Sequence, residues 1–406
     1  MGEKMVFEGI KVVEFTGFAA GPVTAKHLAD HGATVVRIES RTRPDGFRTH
    51  YPPFTDNKPG LNRSACFALC NENKYSAALN LRAPGAMDLA QRFIAWADIV
   101  IENFTPGTMK RLGLGYDELR QLKPDIIMVS TCNQGQTGPH ASHPGFGSHL
   151  TSLSGFTHLI GYPDRTPVIL YGPYIDYIGV GYGVIAICAA LDYRRRTGKG
   201  QYIDLAQYEN GLQFLVPVIL DYQINGRIAQ RMGNRSPDAA PHGAYPCLGE
   251  DRWCALSIHS DEEWQHLCQV MGRPELARDE RFTTFLGRKQ NEEELDRLIG
   301  EWTSQLEPKV VMTRLQEAGL AAGVVNTMAD IFSDPQLEHR HVWWPLEHPE
   351  MGMTHYEGPP FALSETPAKL DRPAPCIGEH SRQVYTEFLS MSGEEYEELV
   401  SKGVIN

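Results

Sequence analysis

Asp176 sits in the run Tyr171-Gly172-Pro173-Tyr174-Ile175-Asp176-Tyr177-Ile178-Gly179-Val180-Gly181, a lone acid among glycines, aromatics and aliphatics. Burial there disfavours its charged form while glycine-exposed amides favour it. A carboxylate under that tension suits the work of a nucleophile or base. Asp is also a good N-cap, and the apolar run 178–191 reads as a helix that needs one. On local sequence alone the cap comes first.

Two further clusters carry polar chemistry. Phe15-Thr16-Gly17-Phe18-Ala19-Ala20-Gly21-Pro22 joins a strand to a helix through small residues, which lets a ligand approach the backbone, but it lacks the G-x-G-x-x-G fingerprint of dinucleotide sites. Glu39 ends the next strand where such a site would hold a ribose, with Arg41, Arg43 and Arg48 after it; these suit a phosphorylated ribose or are solvated loop charge. Glu102-Asn103-Phe104-Thr105-Pro106-Gly107 with Lys110 and Arg111 sets an amide and an aromatic at a strand end and cations one turn into a helix. Adenine would stack on Phe104 and phosphate would meet Arg111, unless Asn103 merely caps the turn. His140, His143 and His149 lack a carboxylate or cysteine to complete a metal set, so no metal is expected.

The elements that must position these groups alternate. Strands are expected over 11–16, 33–39, 99–102, 126–131 and 201–205, with helices over 20–31, 83–97, 116–122, 177–196 and 209–222. That order predicts an α/β fold with a doubly wound parallel sheet. Residues 137–161, rich in Gly, Ser, Pro and His, read as a loop region at the strand ends. A boundary falls near 225–240, giving a large domain over 1–225, a smaller α+β domain over 226–330 and a proline-rich return over 331–406, read as extended connections lying on something larger.

Composition narrows the classes. The chain has 406 residues, 42% hydrophobic and 22% charged, enough for two cored domains. A net charge of −12 argues against nucleic acid. Eight scattered cysteines without C-x-x-C pairs read as reduced thiols in the cytoplasm. No run reaches bilayer-spanning length, the richest being 179–191, so no membrane partner is expected.

Taken in order, these motifs resemble the class III CoA-transferases, the group with formyl-CoA, carnitine and benzylsuccinate CoA-transferases and, more distantly, 2-methylacyl-CoA racemases. The carriers are Ala20-Gly21-Pro22, Leu28-Ala29-Asp30-His31-Gly32-Ala33 leading to Glu39, Asn73-Lys74, Glu102-Asn103-Phe104, Arg111-Leu112-Gly113, Gly135-Gln136-Thr137-Gly138-Pro139, Ser154-Gly155, Asp176-Tyr177, Thr197-Gly198-Lys199-Gly200, Gly233-Asn234-Arg235 and Gly378-Glu379-His380. The resemblance implies a Rossmann-like large domain built from both chain ends around the smaller one, and an interlocked dimer. It makes Asp176 the catalytic carboxylate, attacking an acyl-CoA thioester to give an aspartyl anhydride and then an aspartyl-CoA thioester. It lays CoA along Phe18, Ala19, Ala20, Ser40, Arg41, Leu79, Asn103, Phe104 and Arg111, as a substrate rather than a resident cofactor.

Departures from the pattern are specific. Ala19 stands where glutamine is found, Ser40 where an arginine is found, and Phe146-Gly147 where a tyrosine and an acid, or a racemase's histidine and aspartate, would stand. Racemization is therefore not expected. A homodimer and one subunit of a heteromeric transferase with a homologous partner both stay open, as does a subunit that binds CoA esters without turning over. The residue-level alternative is an NADP-dependent oxidoreductase. The acceptor is a carboxylic acid, and Phe146, Phe156, Tyr162, Tyr171 and Tyr174 suit a hydrophobic or aromatic one.

Overall fold

In the computed structural model, which describes residues 5–406, six segments pair in parallel: β1 (Lys11–Phe15), β2 (Thr34–Glu39), β3 (Tyr75–Ala78), β4 (Ile99–Glu102), β5 (Ile127–Cys132) and β6 (Tyr202–Ala206). Their order across the sheet is β3-β2-β1-β4-β5-β6. Alternation sends Val13, Phe15 and Val36 toward the helix Ala86–Trp96, and Val12, Val35, Ile99 and Ile101 toward the helices Ala20–Asp30 and Tyr174–Thr197. Helices cover both faces, which is why β1, β2, β4 and β5 bury apolar residues on both sides instead of alternating apolar with polar. The α/β expectation holds.

β3 was not expected. Tyr75-Ser76-Ala77-Ala78 is short and alanine-rich, a poor strand by propensity. Distant residues fix it: the Ser381 hydroxyl accepts from the Ala78 N–H at 2.9 Å, and the His380 N–H donates to the Ser76 carbonyl at 3.0 Å.

The chain divides into two compact units. One runs to Phe156 and resumes over Ile169–Arg227 and Gln336–Asn406; the other takes Thr157–Val168 and Ile228–Pro335. The stretch 157–168 thus lies outside the first unit, where no boundary was expected. In the second unit β7 (His242–Pro246), β8 (Trp253–Ser257) and β9 (Ala321–Val324) form an antiparallel sheet in that order. Trp264, Leu267, Phe282, Leu295, Ile299 and Leu315 fill its core.

The C-terminal return carries more structure than extended connections. β10 (Trp343–His348) and β11 (Gly352–Glu357) make an antiparallel hairpin. Val384, Tyr385, Val404 and Ile405 then enter the core of the larger unit, with the Tyr385 hydroxyl donating to the Ala78 carbonyl at 2.8 Å. The glycine-rich stretch before the long helix is also partly helical, over Gly147–Leu153 and Phe156–Leu159.

Charges are buried under the strand ends. Glu14 and Arg37 are register partners, and Lys74 Nζ donates to Glu14 at 2.8 Å, to Asn71 at 2.9 Å and to the Pro22 carbonyl at 2.7 Å. All three charged side chains are fully buried and persist there because each is paired.

The helix Tyr174–Thr197, whose most apolar 18-residue stretch has mean hydropathy 1.6, is long and apolar enough to cross a membrane by length and composition, which corrects the expectation that no run reaches that length. Core helices pass the same test. Here Ile187 and Ala190 are fully buried against the sheet beside Ile99 and Ile127.

Candidate active site

Asp176 is the third residue of that helix, whose N-cap is Pro173; its own N–H donates to the Pro173 carbonyl at 3.0 Å. The capping role suggested by local sequence is therefore not the one it has. Its carboxylate makes no hydrogen bond or ion pair among the described residues, and burial pushes its pKa up to about 7. The first-turn position acts the other way, since free N–H groups at a helix start favour a negative charge. The result is a carboxylate that titrates near neutrality with nothing tying down its oxygens.

A glycine makes room for it. Gly147 opens the helix Gly147–Leu153, and a β-carbon there would lie 3.0 Å from Asp176 Oδ2. The preceding Phe146 meets the Phe18 ring edge-on, centroids 5.9 Å apart.

Phe18 belongs to the turn after β1, and that turn borders a cleft of about 1100 Å³ outside the carboxyl ends of β1, β2, β3 and β4. The strand order reverses between β1 and β4, the place where open parallel sheets bind ligands. Asn103 holds the turn from the β4 side: its Oδ1 accepts from the Gly17 N–H at 2.8 Å and its Nδ2 donates to the Gly17 carbonyl at 2.7 Å. Asn103 is thus a clasp between two strand ends, more than the cap of a following turn. Glu102, buried behind it, accepts from the Phe104 N–H at 2.8 Å; burial raises its pKa to about 7 against hydrogen bonds from Ser130 and Phe104.

The sequence profile of CoA-transferase family III matches residues 7–381. This chain belongs to that family. The family III enzyme is 32% identical over 398 residues to the succinyl-CoA–D-citramalate CoA-transferase of Chloroflexus aurantiacus, covering 98% of each chain. It is 33% identical over 385 residues to the succinate–glutarate CoA-transferase of Agrobacterium fabrum, covering 95% of this chain and 96% of that one. A CAIB/BAIF family protein from Brucella suis matches its structure with a TM-score of 0.87 at 33% identity, over 95% of this chain and all of the other. It is a CoA-transferase, and CoA thioesters are the substrates of its family.

Of the residues expected along CoA, the transferase sets Phe18, Ser40, Leu79, Asn103, Phe104 and Arg111 around the cleft. Ala19 and Ala20 are buried at the start of the helix Ala20–Asp30 and do not line it. Arg41 is turned away, with Nη2 donating to the Ile377 carbonyl at 3.0 Å. Arg82 and Asp45 line the cleft without having been singled out as ligands, and so does Arg43, read from the sequence as a partner for a phosphorylated ribose or as solvated charge. Arg82 follows β3, so recognising it required recognising that strand.

The oxidoreductase reading falls with family membership, and the geometry shows why its acid is unsuited. Burial alone would raise the Glu39 pKa, but Arg48 and Arg37 outweigh it and hold the carboxyl at about 2. Arg48 Nε and Nη2 grip both oxygens at 2.9 and 2.8 Å, leaving none for a ribose. The His140 and His143 rings lie tilted at 38° with centroids 4.6 Å apart, and no cluster able to hold a metal ion occurs among the described residues.

Proposed function

We propose that this transferase moves CoA from a dicarboxylic acyl-CoA such as succinyl-CoA to a short carboxylic acid, with Asp176 as the covalent carrier. The observation that carries the reading is the unpaired Asp176 carboxylate, titrating near 7 at a helix start and linked through Gly147, Phe146 and Phe18 to the cleft. A carboxylate nucleophile keeps the energy of the thioester, because the acyl anhydride it forms is again an activated acyl group. Phe18, Ser40, Leu79, Asn103, Phe104 and Arg111 border CoA in this reading, while Ala19 and Ala20 are buried behind that wall and Arg41 is held by the Ile377 carbonyl.

An Asp176 oxygen attacks the thioester carbonyl, the C–S bond breaks, and CoA leaves as thiolate. The thiolate then attacks the Asp176 carbonyl of the anhydride, freeing the donor acid as carboxylate and leaving an aspartyl-CoA thioester. The acceptor carboxylate attacks that carbonyl, expelling thiolate again and forming a second anhydride. A last attack by the thiolate on the acceptor's acyl carbon releases the new thioester and restores Asp176. Each step exchanges one acyl bond for another, so water must be kept out.

The donor and acceptor classes rest on the Chloroflexus and Agrobacterium relatives, whose names carry succinyl-CoA, citramalate, succinate and glutarate. They favour small dicarboxylates over the aromatic acids that the nearby rings suggested. A second copy of the chain is proposed as partner, covering the exposed Tyr182, Ile185, Phe214, Leu220, Tyr222 and Ile224 on the helices Tyr174–Thr197, Gln207–Phe214 and Val216–Asn225. A heteromer is the second reading, favoured by 32% identity to the alpha and beta subunits of a Chloroflexus succinyl-CoA–L-malate CoA-transferase.

The test is mass spectrometry of the purified chain after incubation with succinyl-CoA. A hydroxylamine-sensitive adduct on the Asp176 peptide is expected. A homogeneous preparation that exchanges CoA while Asp176→Ala turns over at the same rate would overturn the assignment.

A further inference from the structure

Phe18 is a bulky residue in the left-handed region, φ 60°, where glycine belongs. Such a conformation persists only where its surroundings impose it. Three constraints do so. The Asp45 carboxylate accepts from the Phe18 N–H through both oxygens at 3.2 Å. The Phe18 ring lies where a β-carbon on Gly46 would come within 2.5 Å, so the ring rests on bare backbone. Phe47 and Tyr51 then flank it edge-on at 5.5 and 6.0 Å.

Asp45 is itself fixed. It caps the short helix Gly46–Thr49 by accepting from the Phe47 N–H at 2.8 Å, and it pairs with Arg37, which is fully buried. The Asp45 side chain is 2% exposed. Arg37 also neutralises it, which matters in a cleft proposed to take an anionic ligand.

We propose that Asp45 is a positioning residue of the transferase: held by Arg37, it locks the Gly17–Phe18 turn that walls the CoA cleft. Through the Phe18 ring it also sets Phe146 and Gly147 against Asp176. Asn103 and Asp45 thus hold adjacent residues of one turn from opposite sides. The inference rests on the cleft being the CoA site.

The experiment compares wild type, Asp45→Ala and Asp45→Asn by calorimetric titration with CoA, steady-state kinetics with succinyl-CoA, and amide hydrogen exchange read by mass spectrometry. Losing a charge-assisted clamp should weaken CoA binding on the order of tenfold. Exchange should speed up over residues 15–22 and 144–150, and kcat should fall while KM rises. Asp45→Asn, which keeps one neutral acceptor oxygen, should fall between the two. Unchanged CoA affinity in Asp45→Ala, or weakened affinity with exchange over 15–22 still slow, overturns the proposal. So does equal damage from both variants, which would reduce Asp45 to a counter-charge for Arg37. If Asp45→Ala does not fold, Asp45→Asn decides alone: affinity and exchange must both move. A wild type that binds no CoA sinks the reading of the cleft as the CoA site instead, and the exchange data still decide whether the clamp exists.

Discussion

Gly147 and Asp176 are packed so closely that a β-carbon on the glycine would stand 3.0 Å from the aspartate Oδ2, and 2.6 and 2.8 Å from Pro173 Cβ and Cα. Something must move if a side chain is added, and Pro173 is the N-cap of the helix that carries Asp176. Gly147→Ala should therefore displace Asp176, the proposed nucleophile. We expect a loss of exchange rate of at least about tenfold with a stability cost of roughly 1–3 kcal/mol, the range for overpacking. Parallel rate and thermal unfolding measurements check it; full activity would show that the Pro173 turn yields freely.

Asp176 also sets a pH dependence. Its pKa of about 7 lies above the ordinary 3.8, so the folded state keeps the proton longer than the unfolded state. The associated stability is fully present below about pH 4 and is lost as pH rises through 7. Asp176→Asn should flatten the decline in Tm between pH 5 and 8. Acylation needs the ionised form, so the rate of adduct formation from succinyl-CoA should rise with pH and level off above about 7. A flat profile from pH 5.5 to 8.5 would contradict this.

Arg82 and Arg111 offer positive charge to the cleft. Replacing either with Ala should raise KM for the acyl-CoA by roughly fivefold, about 1 kcal/mol, with kcat little changed. The effect should shrink in high salt, because exposed charges are screened. Steady-state kinetics at two ionic strengths would reveal it, and a change confined to kcat would argue against phosphate binding.

Lys74 supports the site from below. Its three donors are all used, one on Glu14, so Lys74→Met leaves buried acid without its closest counter-charge. Removing one partner of a buried pair costs about 3–5 kcal/mol. Urea unfolding should show a loss of that size, partly restored by adding Glu14→Gln. An additive double mutant would deny the coupling.

The sheet was legible because most of its strands are largely apolar and spaced by helices, and the position of Phe18, Asn103 and Phe104 at the cleft was legible because they follow strands that could be read. Arg82 was hidden by β3, four residues whose pairing depends on Ser381 and His380, some 300 positions away in sequence. Arg41, expected beside CoA as a cation after a strand end, donates to the Ile377 carbonyl and is not among the residues lining the cleft, a tertiary contact with no local mark in the sequence. Asp176 drew attention as an isolated acid, yet its neighbour Gly147 read as a missing polar group. Its close packing on Pro173 is tertiary and leaves no local mark.

Val404 and Ile405 close the interior of the larger unit, whereas nearly all of the smaller one lies within Ile228–Pro335. On a ribosome, residues 228–335 can consolidate while the parallel sheet still waits for its last wall. The nascent β-strands must spend that interval with apolar surface uncovered, so chaperone demand should track the time taken to translate the final seventy residues or so.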